Sequence, residues 1–190
     1  MATIELPAPI EMQMPLVQVL GRRRSRREFS EQPLDGAILS TLLWACVGRN
    51  SDDDRRTAPS AFNCREVDCF VFDDKGVWLY DPEDNALVQA TQGDKRAMTT
   101  TAQDYVGMAP ITLVLAVSNA KAEPLVGAIG QICRAVDVGA AMQNALLACA
   151  AMGLSAVPRA SFDPQQVLQA MGKSEEQYAP LMAVTVGFPA

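Results

Sequence analysis

A run of five arginines interrupted by one serine lies near the start of the chain, in GRRRSRREF at residues 21–29. Side chains suited to holding a phosphate group occur at four of its positions, Arg23, Arg24, Ser25 and Arg27. Guanidinium groups bind phosphate through paired hydrogen bonds, and a serine hydroxyl adds another donor. The alternative is a solvated basic patch or a short nuclear-localisation-like signal. When the run is considered alone, this alternative is favoured.

A second segment that could do chemistry is the polar stretch TAPSAFNCRE at residues 57–66. Its candidate binding residues are Pro59, Ser60, Ala61 and Asn63. An asparagine amide both donates and accepts hydrogen bonds, so it can recognise the edge of a planar polar ring. The alternative is an ordinary turn closed by the serine and asparagine side chains.

A third segment, GLSAVPRASFD at residues 153–163, predicts a strand that ends in a proline just before a helix begins. Small residues there would expose backbone N–H groups, and the candidates are Pro158, Arg159, Ala160 and Ser161. A plain connection between a strand and a helix is the alternative, and it is favoured when the segment is considered alone.

The composition limits what these segments can do. The chain has 190 residues, 49% of them hydrophobic, and a formal net charge of −6. We expect a single globular domain over residues 1–190, and the net charge disfavours a general nucleic-acid binder, which needs a broad basic face. No stretch is long and apolar enough for a membrane span, and no secretory signal is recognisable, so we expect a soluble, cytoplasmic protein.

Cysteine and histidine usage excludes further classes of site. The five cysteines form no CxxC pair and the chain contains no histidine, which argues against a zinc site and against histidine-dependent catalytic triads. We therefore predict no metal. Cys46 and Cys149 fit helical apolar patterns and are expected to be buried, whereas Cys64 lies in a polar loop.

Interleaved helical and strand patterns predict an α+β layered protein with a mixed sheet. The predicted helices cover residues 35–48, 95–106 and about 124–152, and a fourth begins at Asp163. The predicted strands are residues 67–72, 77–80, 86–90, 111–118, 154–158 and 181–188. Residues 1–15 are rich in proline and are expected to form an extended arm.

Four segments, taken in order, resemble the nitroreductase family of FMN-dependent oxidoreductases, over about residues 15–189. RRSRREF resembles the family's R-R-S-x-R-x-F signature, and PSAFN its P-S-x-x-N loop. DVGAAMQNALLACAAMGL resembles the D-x-G-x-x-x-Q-N helix that ends in G-L, and VTVGFP the closing strand that ends in G-x-P. RTAPSA and VWLYDP are similar to the short SagB-type branch. The resemblance implies a nitroreductase-like fold with a mainly antiparallel sheet flanked by helices.

The resemblance also implies roles for the arginine run. Arg23 and Ser25 would hold the FMN phosphate and ribityl chain, with Arg24 in support. Arg27 would approach the N1/O2 side of the flavin ring, where a fixed cation stabilises the reduced cofactor.

The other two segments would bind the ring. Asn63, in the loop with Pro59, Ser60 and Ala61, matches the asparagine that hydrogen-bonds the pyrimidine edge. The backbone from Pro158 to Ser161 would cover one ring face and offer an N–H group to flavin N5.

The closing segment departs from the family pattern. Many members carry a lysine or arginine just beyond G-x-P that also binds the phosphate, but here Ala190 follows Pro189 directly. Either that contact is missing or another cation replaces it, and the candidates are Arg55, Arg56 and Arg159.

The resemblance further implies an obligate homodimer with FMN at the interface. Five small residues of the long helix, Gly139, Ala140, Ala141, Ala145 and Ala148, would allow close helix packing, between subunits or within one.

The implied reaction is ping-pong hydride transfer from NAD(P)H through flavin N5 to an electron-poor acceptor such as a nitroaromatic or a quinone, with no catalytic side chain. The alternatives are a substrate-specific SagB-like flavin dehydrogenase, a flavin-binding protein with little turnover, and a structural or nucleic-acid module.

Overall fold

The computed structural model describes residues 2–51 and 55–190, so the centre of the predicted polar loop, residues 52–54, lies outside the described residues. The strands are β1 (Thr3–Glu5), β2 (Val67–Phe72), β3 (Gly76–Asp81), β4 (Ala86–Gln92), β5 (Ile111–Ser118), β6 (Ser155–Arg159) and β7 (Tyr178–Gly187). The helices are α1 (Leu16–Arg22), α2 (Gly36–Val47), α3 (Tyr105–Met108), α4 (Gly127–Ala151) and α5 (Pro164–Met171).

The seven strands form one sheet in the order β1-β4-β3-β2-β5-β7-β6, and every neighbouring pair is antiparallel. All eight residues of β5 are buried, because this strand lies inside the sheet and is covered on both faces. A single isolated parallel bridge joins Ser25 to Ala156 at the β6 edge. The predicted α+β fold with a mainly antiparallel sheet is confirmed.

Helices cover both faces of the sheet. Side chains of β2 alternate in direction, as the two-residue period of a strand requires. Cys69 and Val71 pack in the larger core with α2 and α4. Phe70 and Phe72, both fully buried, pack in a second core with α5. The result is a three-layer arrangement with a main apolar core on each face of the sheet.

Two helices begin where the sequence predicts, since each has an aspartate as its N-cap. The Asp35 carboxylate accepts a hydrogen bond from the Ile38 N–H at 2.8 Å. The Asp163 carboxylate accepts from the Gln165 N–H at 2.9 Å, and Pro164 occupies the first turn. Helix α5 ends at Gly172, which adopts a left-handed φ of 65°.

The predicted helix over residues 95–106 is wrong. A 3-10 turn at Arg96–Thr99 and the short helix α3 occupy this region. The Thr99 hydroxyl donates to the Arg96 carbonyl at 2.7 Å, and the Thr100 hydroxyl accepts from the Gln103 N–H at 3.1 Å. These side-chain bonds compete with helical backbone hydrogen bonds and interrupt the helix.

Helix α1 has no counterpart among the predicted elements. It begins directly after Pro15, and Val19 is its one buried residue. Leu16, Val17 and Leu20 are exposed, so much of its apolar surface is open to solvent.

The two predicted core cysteines, Cys46 and Cys149, are buried, as expected. Nowhere in residues 2–51 and 55–190 does a helix have the length and apolar character needed to cross a membrane, and no group of three or more metal-ligating side chains occurs there.

Candidate functional site

The arginine run begins where α1 ends and lies along the edge of the sheet. Arg23 caps the C-terminus of α1, and its N–H donates to the Val19 carbonyl. Two residues later, Ser25 forms the parallel bridge with Ala156, and the Arg26 N–H donates to the Ala156 carbonyl at 3.0 Å. The backbone of β6 therefore fixes the position of the run.

A cavity of about 320 Å³ lies between this run and the C-terminal part of α4. Its lining residues are Gly21, Arg22, Arg24, Arg26, Leu146, Cys149, Ala150, Gly153, Leu154 and Ala156. Three arginines therefore line the cavity together with apolar and small residues of α4 and β6. Of the four residues predicted to hold a phosphate, only Arg24 lines this cavity.

The arginines of the run have no anionic partner among the described residues. In the part of the chain that the structure describes, none of residues 22–27 lies within 4.0 Å of a carboxylate oxygen. Arg24 instead donates to the neighbouring Arg23 carbonyl at 2.8 Å. Unpaired guanidinium groups beside a cavity are suited to binding an anion from solution, preferably one with planar or tetrahedral oxygens.

The PSAFN loop is a compact turn held against α4. The Ser60 hydroxyl donates to the Glu66 Oε2 atom at 2.8 Å and accepts from the Arg65 N–H at 2.7 Å. The Ala61 N–H donates to the Asp137 Oδ2 atom at 2.7 Å. Asp137 is the first residue of the D-x-G-x-x-x-Q-N pattern, so this bond links two of the sequence motifs directly.

The tip of this loop adopts an unusual backbone conformation. Phe62 and Asn63 have φ angles of 54° and 55°, in the left-handed region. Both side chains are exposed, Phe62 by 81%. A second cavity, of about 390 Å³, is lined by Arg55, Arg56, Ala58, Pro59, Ser60 and Asn63. The predicted loop residues therefore border a space with cationic side chains.

Buried carboxyl groups lie under the loop. Burial raises the pKa of Glu66, and the nearby Asp137 carboxyl group raises it further. Burial also raises the pKa of the Cys64 thiol, with smaller contributions from Glu66 and Asp137. Cys64 is therefore a weaker nucleophile than an ordinary cysteine.

The third predicted segment contains β6, and its four candidate residues span the end of that strand. Pro158 is half-buried, while Ala160 and Ser161 are exposed. The carbonyls of Ala160 and Ser161 accept hydrogen bonds from the N–H groups of Phe162 and Thr101, at 3.0 and 3.2 Å. Within the described residues, the Ser161 N–H donates to no acceptor, so it is available to an external one.

The Arg159 side chain points away from this exposed segment, into the protein. Its Nε atom donates to the Thr185 hydroxyl at 2.9 Å, and its Nη2 atom donates to the Thr99 hydroxyl at 2.9 Å. Nη1 donates to the Thr99 carbonyl. Burial lowers the pKa of Arg159 to about 10. Of the three candidate replacement cations, Arg159 therefore has its guanidinium fully engaged inside the chain.

The first and third segments are adjacent, because Ala156 bridges to Ser25. The second segment contacts α4 twice: the Ala61 N–H donates to Asp137, and the Thr57 carbonyl accepts from the Asn144 amide at 3.1 Å. The arginine-lined cavity reaches α4 at Leu146, Cys149 and Ala150. Nine residues separate Asp137 from Leu146, which is roughly 14 Å along a helix with a rise of 1.5 Å per residue. No described hydrogen bond joins residues 59–63 to either of the other two segments.

An apolar stripe on α4 lies open to solvent near the PSAFN loop. Ile129, Ile132 and Val136 are exposed by 76%, 62% and 59% and recur at helical spacing. The exposed Phe62 lies next to Ala61, which contacts α4 one residue beyond Val136. Such contiguous apolar surface is typical of a protein interface.

Comparison with known proteins identifies the family. The sequence profile described as "Nitroreductase family" matches residues 20–188, from just before the arginine run to the closing G-x-P segment. The chain belongs to the nitroreductase family. A Ralstonia eutropha JMP134 protein, whose crystal structure was solved as that of a candidate nitroreductase, is 36% identical with a TM-score of 0.92. The alignment covers 99% of this chain and 90% of that chain.

Two more nitroreductases are similar over most of their length. A curated Methanocaldococcus jannaschii protein, named as a candidate nitroreductase, is 28% identical over 97% of this chain and 96% of its own. A candidate nitroreductase from Desulfovibrio desulfuricans, solved in complex with FMN, is 21% identical, with a TM-score of 0.67. That match covers 94% of this chain and 88% of that chain, and it supports the fold.

Membership in the nitroreductase family confirms the resemblance, while the SagB-type branch and the roles of individual residues stay predictions. The sequence did not predict Arg22 and Arg26 as site residues, because the family signature matches Arg23, Arg24, Ser25 and Arg27 instead. Glu66 was not predicted either. A glutamate six residues after Ser60, just ahead of a buried strand, is a weak sequence signal. Its role is recognisable only from its contacts in the folded protein.

Proposed function

We propose that this nitroreductase is an FMN-dependent oxidoreductase that takes a hydride from NAD(P)H and passes it to an electron-poor acceptor, such as a nitroaromatic or a quinone. One observation carries the proposal. Arg22, Arg24 and Arg26 line a cavity beside β6 and have no carboxylate partner in the described residues. The phosphate of FMN supplies the anion that such a site lacks. Residues 1–190 would act as one FMN-binding domain.

The remaining segments fit the flavin ring. The exposed Ser161 N–H, which has no acceptor among the described residues, suits a hydrogen bond to flavin N5. The exposed Asn63 amide, on the wall of the second cavity, suits the pyrimidine edge. Pro158 and Ala160 are small enough to let the backbone lie close to a planar ring.

The chain's own groups have binding and electrostatic roles in this reaction. When bound, FMN supplies the hydride chemistry at its N5 atom. Arg27, on a run whose backbone is anchored to β6, would lie on the N1/O2 side of the ring, where a guanidinium group would stabilise negative charge. With no histidine in the chain, proton transfer is left to water. Reductant and acceptor would use the same space in turn, so we expect ping-pong kinetics.

The proposal includes a homodimer. The PSAFN loop contacts α4 at Asp137, and the arginine-lined cavity begins at Leu146, roughly 14 Å further along the helix. One FMN molecule would meet both most readily if a partner subunit supplied the loop. The exposed stripe of Ile129, Ile132 and Val136 offers an interface for a second copy. A cytoplasmic location suits the use of NAD(P)H.

The first test is an absorbance spectrum of the purified protein, followed by release and chromatography of any cofactor. We expect flavin bands and close to one FMN per chain. A colourless protein that also takes up no added FMN would refute the proposal. Stopped-flow reduction with NADH and with NADPH then tests turnover. A flavoprotein that neither nucleotide reduces would instead be a flavin store or sensor.

Charge-removing variants test the phosphate site. Arg24→Gln combined with Arg26→Gln should weaken FMN binding at least tenfold, because a hydrogen bond to a charged group contributes about 1.5–3 kcal/mol. Lys75→Gln, on an exposed turn, is the matched control and should leave FMN binding unchanged. If Arg23→Gln with Arg27→Gln abolishes binding while the first pair has no effect, the phosphate lies where the family signature predicts and not in the cavity.

A further inference from the structure

The PSAFN loop needs support, because its backbone is strained. Phe62, Asn63 and Arg65 all have positive φ angles, of 54°, 55° and 51°. None of them is a glycine, and each L-residue in this region raises the free energy of the folded chain. Contacts elsewhere must hold the loop in this conformation, and they are concentrated on Ser60, Ala61 and the carboxyl groups below them.

Glu66 is the centre of those contacts. Its side chain is fully buried, and its Oε2 atom accepts the Ser60 hydroxyl at 2.8 Å. That hydroxyl in turn accepts the Arg65 N–H at 2.7 Å, which closes the loop. The Glu66 carbonyl accepts the Ser118 N–H at 2.8 Å, which fixes the residue to the sheet.

The other Glu66 oxygen is unsatisfied as a carboxylate. Oε1 is buried and has no hydrogen-bond partner among the described residues. The neighbouring Asp137 is 95% buried, since its exposed fraction is 5%, and its Oδ2 atom already accepts the Ala61 N–H. Two ionised carboxylates cannot bond to each other, because both only accept. One added proton converts Oε1 into a donor and removes the deficit.

The charged groups around Glu66 allow two descriptions of its side chain: an ion pair with a nearby guanidinium group, or a proton shared with Asp137. Arg56 and Arg65 line the small cavity beside Ser60 and Asp137. The nearby charges of Glu66, Asp137 and Glu123 all raise the pKa of the Cys64 thiol. Arg56 pairs with the Glu83 carboxylate at the surface. Because Glu66 accepts from Ser60 and has no described bond to a guanidinium group, the geometry favours a shared proton over an ion pair.

We propose that Glu66 is a neutral carboxylic acid that donates its proton from Oε1 to the Asp137 carboxylate, and that this pair positions the PSAFN loop against α4. Glu66 is thereby a positioning residue for Asn63 at the flavin, a role that rests on the proposed function. The raised pKa of Glu66 agrees with this assignment.

The proton can be observed directly. Infrared spectra of the full-length protein near pH 7 should contain a carboxylic acid C=O band that shifts in heavy water and is absent from Glu66→Gln. A wild-type spectrum without such a band would overturn the proposal, whatever the variants do.

The pH dependence of unfolding gives a second readout. A glutamate with a raised folded-state pKa adds stability that is complete below its unfolded value of 4.5 and is lost as pH rises through the higher folded value. In urea titrations between pH 4 and pH 8, wild type should therefore lose stability relative to Glu66→Gln as pH rises. The reverse trend would indicate an ionised Glu66 and refute the assignment.

FMN binding tests the positioning role. Glu66→Gln keeps a donor and an acceptor in the same places and should bind FMN within about twofold of wild type, whereas Glu66→Leu should bind at least tenfold more weakly. Equal binding by both variants would overturn that role. If the infrared band is present but wild type binds no FMN, the pair stands and the proposed function fails.

Discussion

Replacing Arg159 with methionine tests whether its buried guanidinium stabilises the fold. The side chain donates three hydrogen bonds, two to Thr99 and one to the Thr185 hydroxyl. Hydrogen bonds from a charged donor contribute about 1.5–3 kcal/mol each, so the three together contribute roughly 4–9 kcal/mol. They join the 3-10 turn at Arg96–Thr99 to β7.

Burial of the charge opposes this gain. Burial lowers the pKa of Arg159 to about 10, which corresponds to roughly 3 kcal/mol of unfavourable desolvation. Methionine removes both contributions while it keeps most of the side-chain volume. The hydrogen bonds less the desolvation leave a net stabilisation of roughly 1–6 kcal/mol. We therefore expect the substitution to lower the free energy of unfolding by about 3 kcal/mol, near the middle of that range.

Urea denaturation followed by circular dichroism measures the change, with Lys75→Met as an exposed control that should stay within about 0.5 kcal/mol of wild type. The loss should be equal at pH 6 and pH 8, because a group with a pKa of about 10 is charged at both. If Arg159→Met is as stable as wild type, or more stable, then desolvation outweighs the hydrogen bonds, as happens for some buried ion pairs.

Three further expectations follow from the described contacts. Ile132→Glu should convert a dimer into monomers in sedimentation velocity, because it puts a charge into the exposed α4 stripe. Gly172→Ala should lower the melting temperature by about 2–4 °C, since φ is 65° and an added Cβ would lie 2.9 Å from the Thr91 methyl carbon. Cys149 should resist alkylation in the native protein and react in denaturant, because burial raises the pKa of its thiol.

Local sequence signals predicted most of the fold. The capped helix from Asp35 to Gly48, the hairpin of β2 and β3 and the buried strand β5 all follow from periodicity and turn chemistry within a few residues of one another. The helix over residues 95–106 failed because hydroxyl groups of neighbouring threonines form bonds that periodicity does not register. Helix α1 was missed because it buries only Val19 within its own chain.

The candidate site was harder to predict, because its geometry depends on contacts between distant parts of the chain. The motifs identified the arginine run, but the bridge from Ser25 to Ala156 decides which arginines meet a cavity. Likewise, nothing local to Arg159 indicates that its guanidinium turns inward to Thr99 and Thr185. The Glu66 and Asp137 pair joins residues 71 positions apart. Contacts between residues so far apart in the chain leave little trace in local sequence patterns.

The bridge between Ser25 and Ala156 also protects the sheet from self-association. Strand β6 ends the sheet order, and an exposed edge strand offers unpaired N–H and C=O groups to other chains. The arginine run occupies that edge, so another molecule approaching it meets five like charges. At the opposite edge, β1 spans only three residues, Thr3–Glu5, and gives little length for pairing. The same arginines that suit an anion therefore also keep the folded chain from aggregating through its sheet.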